Sequence, residues 1–233
     1  MSIAAVIPAF NEAGAIGPTV ARLPRTLVDI VLVVDGGSTD ATVAEARAAG
    51  AEIMVEPRRG YGRACQSGVE RAAALGATIV LFLDGDGSDA GELAARIVGP
   101  VCDGDADFVL AHRTRAGRDP GSMGLHQVLA GHLVGGAVGL LTGTRYRDMC
   151  AYRAIRVDVL QGLGMRELTY GWNLEMQMRA ASAGLRVIEV PMPYHRRLAG
   201  QSKVAGNLRG TVKATTRILR TLVSVTIRTR SRA

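Results

Sequence analysis

Short apolar runs alternate with amphipathic stretches through the first half of the chain. Ile3–Ile7, Ile30–Val34, Glu52–Val55, Thr78–Leu83 and Asp107–Ala111 read as strands, and Thr39–Ala49 and Arg63–Leu75 read as helices between them. That alternation predicts an α/β fold with a largely parallel sheet and helices on both faces. In such sheets ligands sit outside the carboxyl ends of the strands. The polar clusters fall at those ends: Pro8–Glu12, Asp35–Asp40, Pro57–Arg63, Asp84–Asp89 and His112–Arg115.

The second half is less regular. Gly124–Gly143 is apolar, Gly-rich and reads as helical. Trp172–Ala183 is a clearer helix, followed by a strand over Arg186–Val190 that Pro191 and Pro193 should break. A last helix is expected over Asn207–Ile227. On it Arg209, Lys213, Arg217 and Arg220 share one stripe, and Leu208, Val212, Leu219, Leu222 and Val223 share a neighbouring one.

With 233 residues, 48% of them hydrophobic, the chain can enclose one substantial core. Its formal charge of +7 is unevenly placed. Residues 196–233 hold ten Arg and Lys and no Asp or Glu, which leaves 18 basic against 21 acidic residues before them. The excess is a basic tail on a mildly acidic body, and it points to an anionic surface met by one end of the protein. Nucleic acid is a poor candidate for that surface, because only 4% of residues are aromatic and none lies among the tail arginines. Cys65, Cys102 and Cys150 are odd in number and far apart, so a reducing, cytoplasmic compartment is expected and neither disulfides nor zinc. No secretory signal is visible. The longest apolar stretch, Leu133–Leu141, is far short of the roughly 20 residues that a bilayer span needs.

The most specific local signal is LFLDGDGSD (Leu81–Asp89). A strand emerges into carboxylates at alternate positions, Asp84 and Asp86, with Gly85 and Gly87 removing obstruction between them. Hard oxygen ligands at that spacing suit Mg²⁺ or Mn²⁺ shared with a diphosphate. An Asx-rich turn would use the same residues. An EF-hand loop would not, since Asp89 and Ala95 stand where Gly and Glu are required. A haloacid-dehalogenase-like phosphatase is the alternative of a different class. It needs a downstream Lys followed by acidic ligands, whereas the only lysines are Lys203 and Lys213 and no carboxylate side chain follows Glu189.

VIPAFNE (Val6–Glu12), VVDGGSTDAT (Val33–Thr42), RRGYGRA (Arg58–Ala64), LDGDGSD and RLAGQSK (Arg197–Lys203) occur in one order. In these motifs the chain resembles the family-2 inverting glycosyltransferases of GT-A fold, most closely the group that makes polyprenyl-phosphate sugars such as dolichyl-phosphate mannose. The resemblance covers roughly residues 3 to 210. It implies a single Rossmann-like, mostly parallel sheet in residues 1–206, with a basic amphipathic C-terminal helix and tail in 207–233. It places Pro8, Phe10, Glu12, Asp35, Arg63 and Asp84 at the nucleotide sugar, and Asp84, Asp86 and Ser88 at the metal. Phe10 stands where Tyr is usual, and Gly36 where a second Asp is common, which leaves UDP- and GDP-linked donors both open. The resemblance also puts Arg113, Arg197, Ser202 and Lys203 at an acceptor phosphate, and makes Asp86, Arg113, Glu175, Arg197 and Lys203 the catalytic set. Asp148, Cys150 and Arg153 in DMCAYRAIR match its acceptor-side motif. For Glu175 a solvated helix-surface position is the other reading, and for DGGSTD an ordinary helix cap by Ser38, Thr39 or Asp40.

The implied chemistry is transfer of a sugar from a nucleotide diphosphate to a polyprenyl phosphate. A hydroxyl acceptor is the rival, and it would require a general base. A phosphomonoester would not, being an oxyanion already at neutral pH. The tail then has a use: a helix with basic and apolar stripes can lie in a membrane interface. The expected location is cytoplasmic and peripheral, on the inner face of the cell membrane. The same helix could instead pack its apolar side on the domain.

Overall fold

The computed structural model describes residues 1–200, 216 and 220–226 of the protein. Its centre is a seven-stranded sheet of β1 (Ile3–Ala9), β2 (Ile30–Asp35), β3 (Glu52–Val55), β4 (Ile79–Phe82), β5 (Phe108–Arg118), β6 (Arg153–Arg156) and β7 (Val187–Tyr194). Spatial order is β3-β2-β1-β4-β6-β5-β7. Every pairing is parallel except those of β6, which runs antiparallel to both β4 and β5. This is the mostly parallel α/β sheet that the alternating pattern predicts.

Both faces of the sheet are buried, so successive side chains of each strand enter different cores. Ile3, Ala5 and Ile7 of β1 meet Ile79 and Leu81 on one face, under α1 (Ile16–Ala21), α2 (Thr42–Ala48) and α4 (Ala94–Cys102). Ala4 and Val6 join Val80, Phe82 and Phe108 on the other, under α3 (Tyr61–Ala74), α5 (Leu125–Thr142), α6 (Val157–Leu163) and α7 (Trp172–Ser182). Because β1, β2 and β4 are parallel neighbours, the loops that leave their carboxyl ends open side by side on one rim.

Two expectations are corrected, and one strand has no counterpart in the sequence pattern. Pro191 and Pro193 do not stop the strand, which runs through both to Tyr194. Among the described strands β7 lies at the sheet edge with β5 as its one neighbour, where a residue without an N–H is tolerated. The helix expected from Thr39 begins at Thr42, because Asp40 turns back to accept the Thr42 N–H at 3.0 Å. β6 was not anticipated at all; it is four residues long with arginine at each end, and Arg153 is fully buried.

Of the expected C-terminal helix, residues 216 and 220–226 are helical and the remainder lies outside the described residues. Val225 packs into the second core and Thr221 is buried, its hydroxyl 3.3 Å from Glu167. This segment therefore turns a face to the domain. Among the described residues no helix is long and apolar enough to cross a membrane.

Candidate active site

The β1 and β2 loops are laced together by side chain to backbone bonds. Asn11 takes a φ of 51°, the one positive value at a non-glycine among the described residues. Its N–H donates to Ser38 Oγ at 2.9 Å, and its Oδ1 accepts the Thr39 N–H at 2.9 Å. The Glu12 N–H donates to Thr42 Oγ1 at 2.8 Å, and the Gly14 N–H to Glu45 at 2.7 Å. Bonds on both sides hold a backbone conformation that would relax if it stood alone. Asp35 is buried and accepts the N–H groups of Gly37 and Ser38, both at 3.0 Å. DGGSTD thus shapes its own loop through Asp35, and Asp40 accepts the N–H of the first residue of α2, but the N-cap position is Ala41 without a side-chain cap, so the cap by Ser38, Thr39 or Asp40 is corrected.

On the far side of β2, Arg59 lies over the Phe10 ring at 3.8 Å from its centroid. Arg63 stands in the first turn of α3. Its backbone N–H donates to the Leu168 carbonyl at 3.0 Å, and its Nε is buried without a hydrogen-bond partner among the described residues. Pro8, Phe10, Glu12, Asp35 and Arg63 therefore lie at adjacent strand or helix ends along the rim.

The loop after β4 is the acidic centre. Asp89 folds back to accept the Asp84 N–H at 3.0 Å. Asp86 Oδ1 accepts the Ser88 N–H at 2.9 Å and the Ser88 hydroxyl at 2.5 Å. Burial, with the charges of Asp89 and Asp86 beside it, pushes the Asp84 carboxyl well above the usual carboxylate range. Burial likewise pushes Asp89 up to about 7, against the pull of the Asp84 N–H bond. Three carboxyl groups crowded at one buried turn demand positive charge, and two arginines supply it.

Arg197 is one. Its guanidinium reaches Asp86 at 2.9 Å and Glu12 at 2.6 Å, joining the β4 loop to the β1 loop. The Leu198 N–H donates to the Asp86 carbonyl at 2.9 Å and the His195 N–H to the Ser88 carbonyl at 2.8 Å, so the segment after β7 lies along the acidic loop. Gly87, at φ 76°, leaves room for Leu198; a Cβ there would meet the Leu198 side chain at 2.5 Å. Arg113, at the end of the buried part of β5, is the other. It donates to Asp148 from its backbone N–H (2.9 Å), Nε (2.8 Å) and a terminal nitrogen (2.6 Å), and lies 4.8 Å from the Tyr194 ring centroid. Burial works to raise the Asp148 carboxyl, but the Arg113 bonds and charge outweigh it and hold it below its ordinary value.

Glu175 is placed differently. It is buried at the start of α7, where its carboxylate accepts the N–H groups of Arg166 (2.9 Å) and Glu167 (2.5 Å) and pairs with Arg179 at 2.8 Å. It is not a solvated surface residue, and its described partners belong to the 166–167 segment and α7. Ser202 and Lys203 lie outside the described residues. Asp89 as organiser of the Asp84 backbone, and Asp148 as the clamp on Arg113, were not identified from sequence; both sit inside the quoted motifs, which were the available signal.

The chain matches the family described as Glycosyl transferase family 2 over residues 4–164. It belongs to that family. This family-2 glycosyltransferase is 36% identical over 218 residues to an uncharacterised glycosyltransferase of Mycobacterium tuberculosis, covering 91% of this chain and 94% of the relative. It is 29% identical over 225 residues to the undecaprenyl-phosphate mannosyltransferase of Micrococcus luteus, covering 90% of each. It is 27% identical over 217 residues to the polyprenol monophosphomannose synthase of Mycolicibacterium smegmatis, covering 87% of this chain and 80% of that one. Among solved structures, glucosyl-3-phosphoglycerate synthase from Mycobacterium tuberculosis, in complex with Mn²⁺, UDP-glucose and phosphoglyceric acid, superposes with a TM-score of 0.75 at 22% identity. That match covers 97% of this chain and 79% of the other. The sheet is thus that of the GT-A fold, and the protein is a glycosyltransferase using a nucleotide sugar. The phosphatase alternative for LFLDGDGSD falls.

Proposed function

We propose that this family-2 glycosyltransferase moves a hexose-type sugar from a nucleotide diphosphate to a polyprenyl phosphate, with inversion at the anomeric carbon. The Arg113–Asp148 clamp carries the choice of acceptor. A hydroxyl acceptor must lose a proton to a base, normally a carboxylate. Asp148 is ill suited to take one, since both its oxygens hold Arg113 and its carboxyl is held below the ordinary range. It is suited to orient a cation. A phosphomonoester, whose second pKa is about 6, is an oxyanion at neutral pH and needs placement more than deprotonation. The relatives from Micrococcus luteus and Mycolicibacterium smegmatis, named for lipid-phosphate products, support the same reading.

Pro8, Phe10, Glu12, Asp35 and Arg63 would take the nucleotide end of a UDP- or GDP-sugar. Asp84 and Asp86, with Ser88 beside them, would hold Mg²⁺ or Mn²⁺. The fit rests on the donor set of hard oxygens, on the crowding that raises Asp84, and on Arg197 standing against Asp86 as a substitute cation. Bound there, the ion supplies Lewis-acid stabilisation of the departing diphosphate. Among the described residues no three His, Cys, Asp or Glu side chains form a complete metal cage. Solved neighbours of the fold are in complex with Mn²⁺ and UDP-glucose or with Mg²⁺ and uridine diphosphate. Arg113 orients the incoming phosphate, and Arg197 with Ser202 and Lys203 neutralises the diphosphate and excludes water. The catalytic body is 1–206 with 207–233 as a basic tail, and the enzyme works at the cytoplasmic face of the membrane where its lipid acceptor resides.

The test offers labelled UDP- and GDP-sugars, with Mn²⁺, to undecaprenyl phosphate, undecaprenol and 3-phosphoglycerate. Label entering the lipid extract only with the phosphorylated lipid is the expected result. Label on undecaprenol or on phosphoglycerate in its place overturns the acceptor assignment.

A further inference from the structure

α5 is an 18-residue helix, LHQVLAGHLVGGAVGLLT, without one Asp, Glu, Lys or Arg. One side packs on the domain: Val138 is buried, a side chain at Gly135 would collide with the Tyr146 carbonyl, and Gly139 lies against the Arg145 side chain. The opposite side carries leucines into water. Leu129 is 60% exposed, Leu133 66% and Leu140 92%. At about 100° per residue these three fall within roughly 40° of one another, a continuous apolar stripe on a helix that has no charged face. Burying such a stripe away from water is favourable.

The surroundings of the stripe are cationic. Between residues 114 and 147 the charged groups are Arg115, Arg118, Arg145 and Arg147 against the single acid Asp119. Arg115, in β5 before the helix in sequence, and Arg145 and Arg147, just after it, are exposed. Asp119 is already engaged by the Arg196 N–H at 3.0 Å and lies 3.4 Å from His195. An apolar stripe on a helix flanked in sequence by exposed arginines is complementary to a bilayer with anionic headgroups, where leucines can enter the acyl boundary and arginines meet the phosphates. Among the described residues no helix is long and apolar enough to cross a membrane. In sequence α5 follows β5, the strand that carries Arg113, and ends at Thr142, six residues before Asp148, and Arg113 and Asp148 pair.

We propose that α5 lies in the surface of an anionic membrane, with Leu129, Leu133 and Leu140 as its buried anchors. The inference rests on the lipid-phosphate reading for its purpose, and assigns to α5 the contact that the sequence alone assigned to the C-terminal helix.

Vesicle flotation of the full chain tests it, with equal parts phosphatidylglycerol and phosphatidylcholine and no acceptor lipid. Flotation is expected with these vesicles and much less with phosphatidylcholine alone. The double variant Leu133→Glu, Leu140→Glu should lower the bound fraction at least roughly tenfold, and Val223→Glu on the C-terminal helix should leave it unchanged. Leu140→Trp should show a blue shift and quenching by brominated lipid, a positive readout that does not depend on the glutamate variants folding. Absence of wild-type binding, or binding lost in Val223→Glu and kept in the α5 variant, overturns the proposal. So does a dimer by light scattering that the α5 variant converts to monomer while flotation is unaltered, since a second copy would then cover the stripe. Transfer to a short, water-soluble polyprenyl phosphate separates the two readings. It persists in the α5 variant if only the membrane contact fails, and is absent from the wild type if the acceptor assignment fails.

Discussion

Arg197 lies 2.9 Å from Asp86 and 2.6 Å from Glu12, and so bridges two carboxylates that belong to different strand ends. The pair with Glu12 spans 185 residues of sequence. A guanidinium in that position neutralises the acidic loop before any donor arrives, and has to give up Asp86 for the carboxylate to bind a metal ion. Arg197→Ala should therefore bind Mn²⁺ more tightly than the wild type without donor, by about tenfold for a charge-assisted bond of roughly 1.5 kcal/mol. Sugar transfer by the same variant should fall. Mn²⁺ titration followed by electron paramagnetic resonance checks the first, and equal affinity in both proteins would show that Arg197 and the ion do not compete.

Asp148 matters through Arg113. Side-chain exposures of 16% and 10% make this a largely buried pair, so removing one partner strands the other. Asp148→Asn should cost roughly 3 kcal/mol of stability and raise the KM for the phosphorylated acceptor more than that for the donor. Denaturant unfolding and separate KM determinations check both. Arg113→Lys keeps the charge and loses the two-point contact, and should show the same split in KM.

Glu175 holds the 166–167 backbone and Arg179 through its carboxylate. Glu175→Gln keeps its shape while weakening the bonds to Arg166, Glu167 and Arg179, at a cost of roughly 1–3 kcal/mol. Thermal unfolding should show the loss. Below the unfolding range kcat should stay within a few-fold of wild type, and a kcat loss of orders of magnitude would return Glu175 to the reacting groups.

The rim of the sheet was legible in sequence because strand runs such as Ile3–Ile7 and Thr78–Leu83 end abruptly in polar clusters, and parallel order brings those ends together. What escaped had no local signature. Arg153 reads as part of an acceptor-side motif until β6 is seen inserted antiparallel between β4 and β5, which buries it. Pro191 reads as a breaker until β7 is known to be an edge. Glu175 has the same helical context whether it faces water or the 166–167 backbone. The Glu12–Arg197 and Arg113–Asp148 pairs are products of topology, and neither partner alone announces the other.

Acid sensitivity should involve Glu56, at the end of β3. Hydrogen bonds from Arg58 and Ser67 hold its carboxyl down at about 2, against an ordinary value of 4.5. A carboxyl held below its unfolded value contributes stability that is fully present above pH 4.5 and drains away as pH falls toward 2. Unfolding free energies of Glu56→Gln and wild type should accordingly differ most above pH 5 and converge on acidification. A constant difference across that range would contradict the assignment.

The nucleophile is the most direct point of test. Polyprenyl phosphate carrying ¹⁸O on its phosphate is incubated with unlabelled nucleotide sugar and Mn²⁺, and the products are read by mass spectrometry. Attack by the acceptor phosphate on the anomeric carbon predicts a lipid monophosphoryl sugar whose bridging oxygen is ¹⁸O, together with an unlabelled nucleoside diphosphate. Release of nucleoside monophosphate, or a product with ¹⁶O at the bridge, would contradict it.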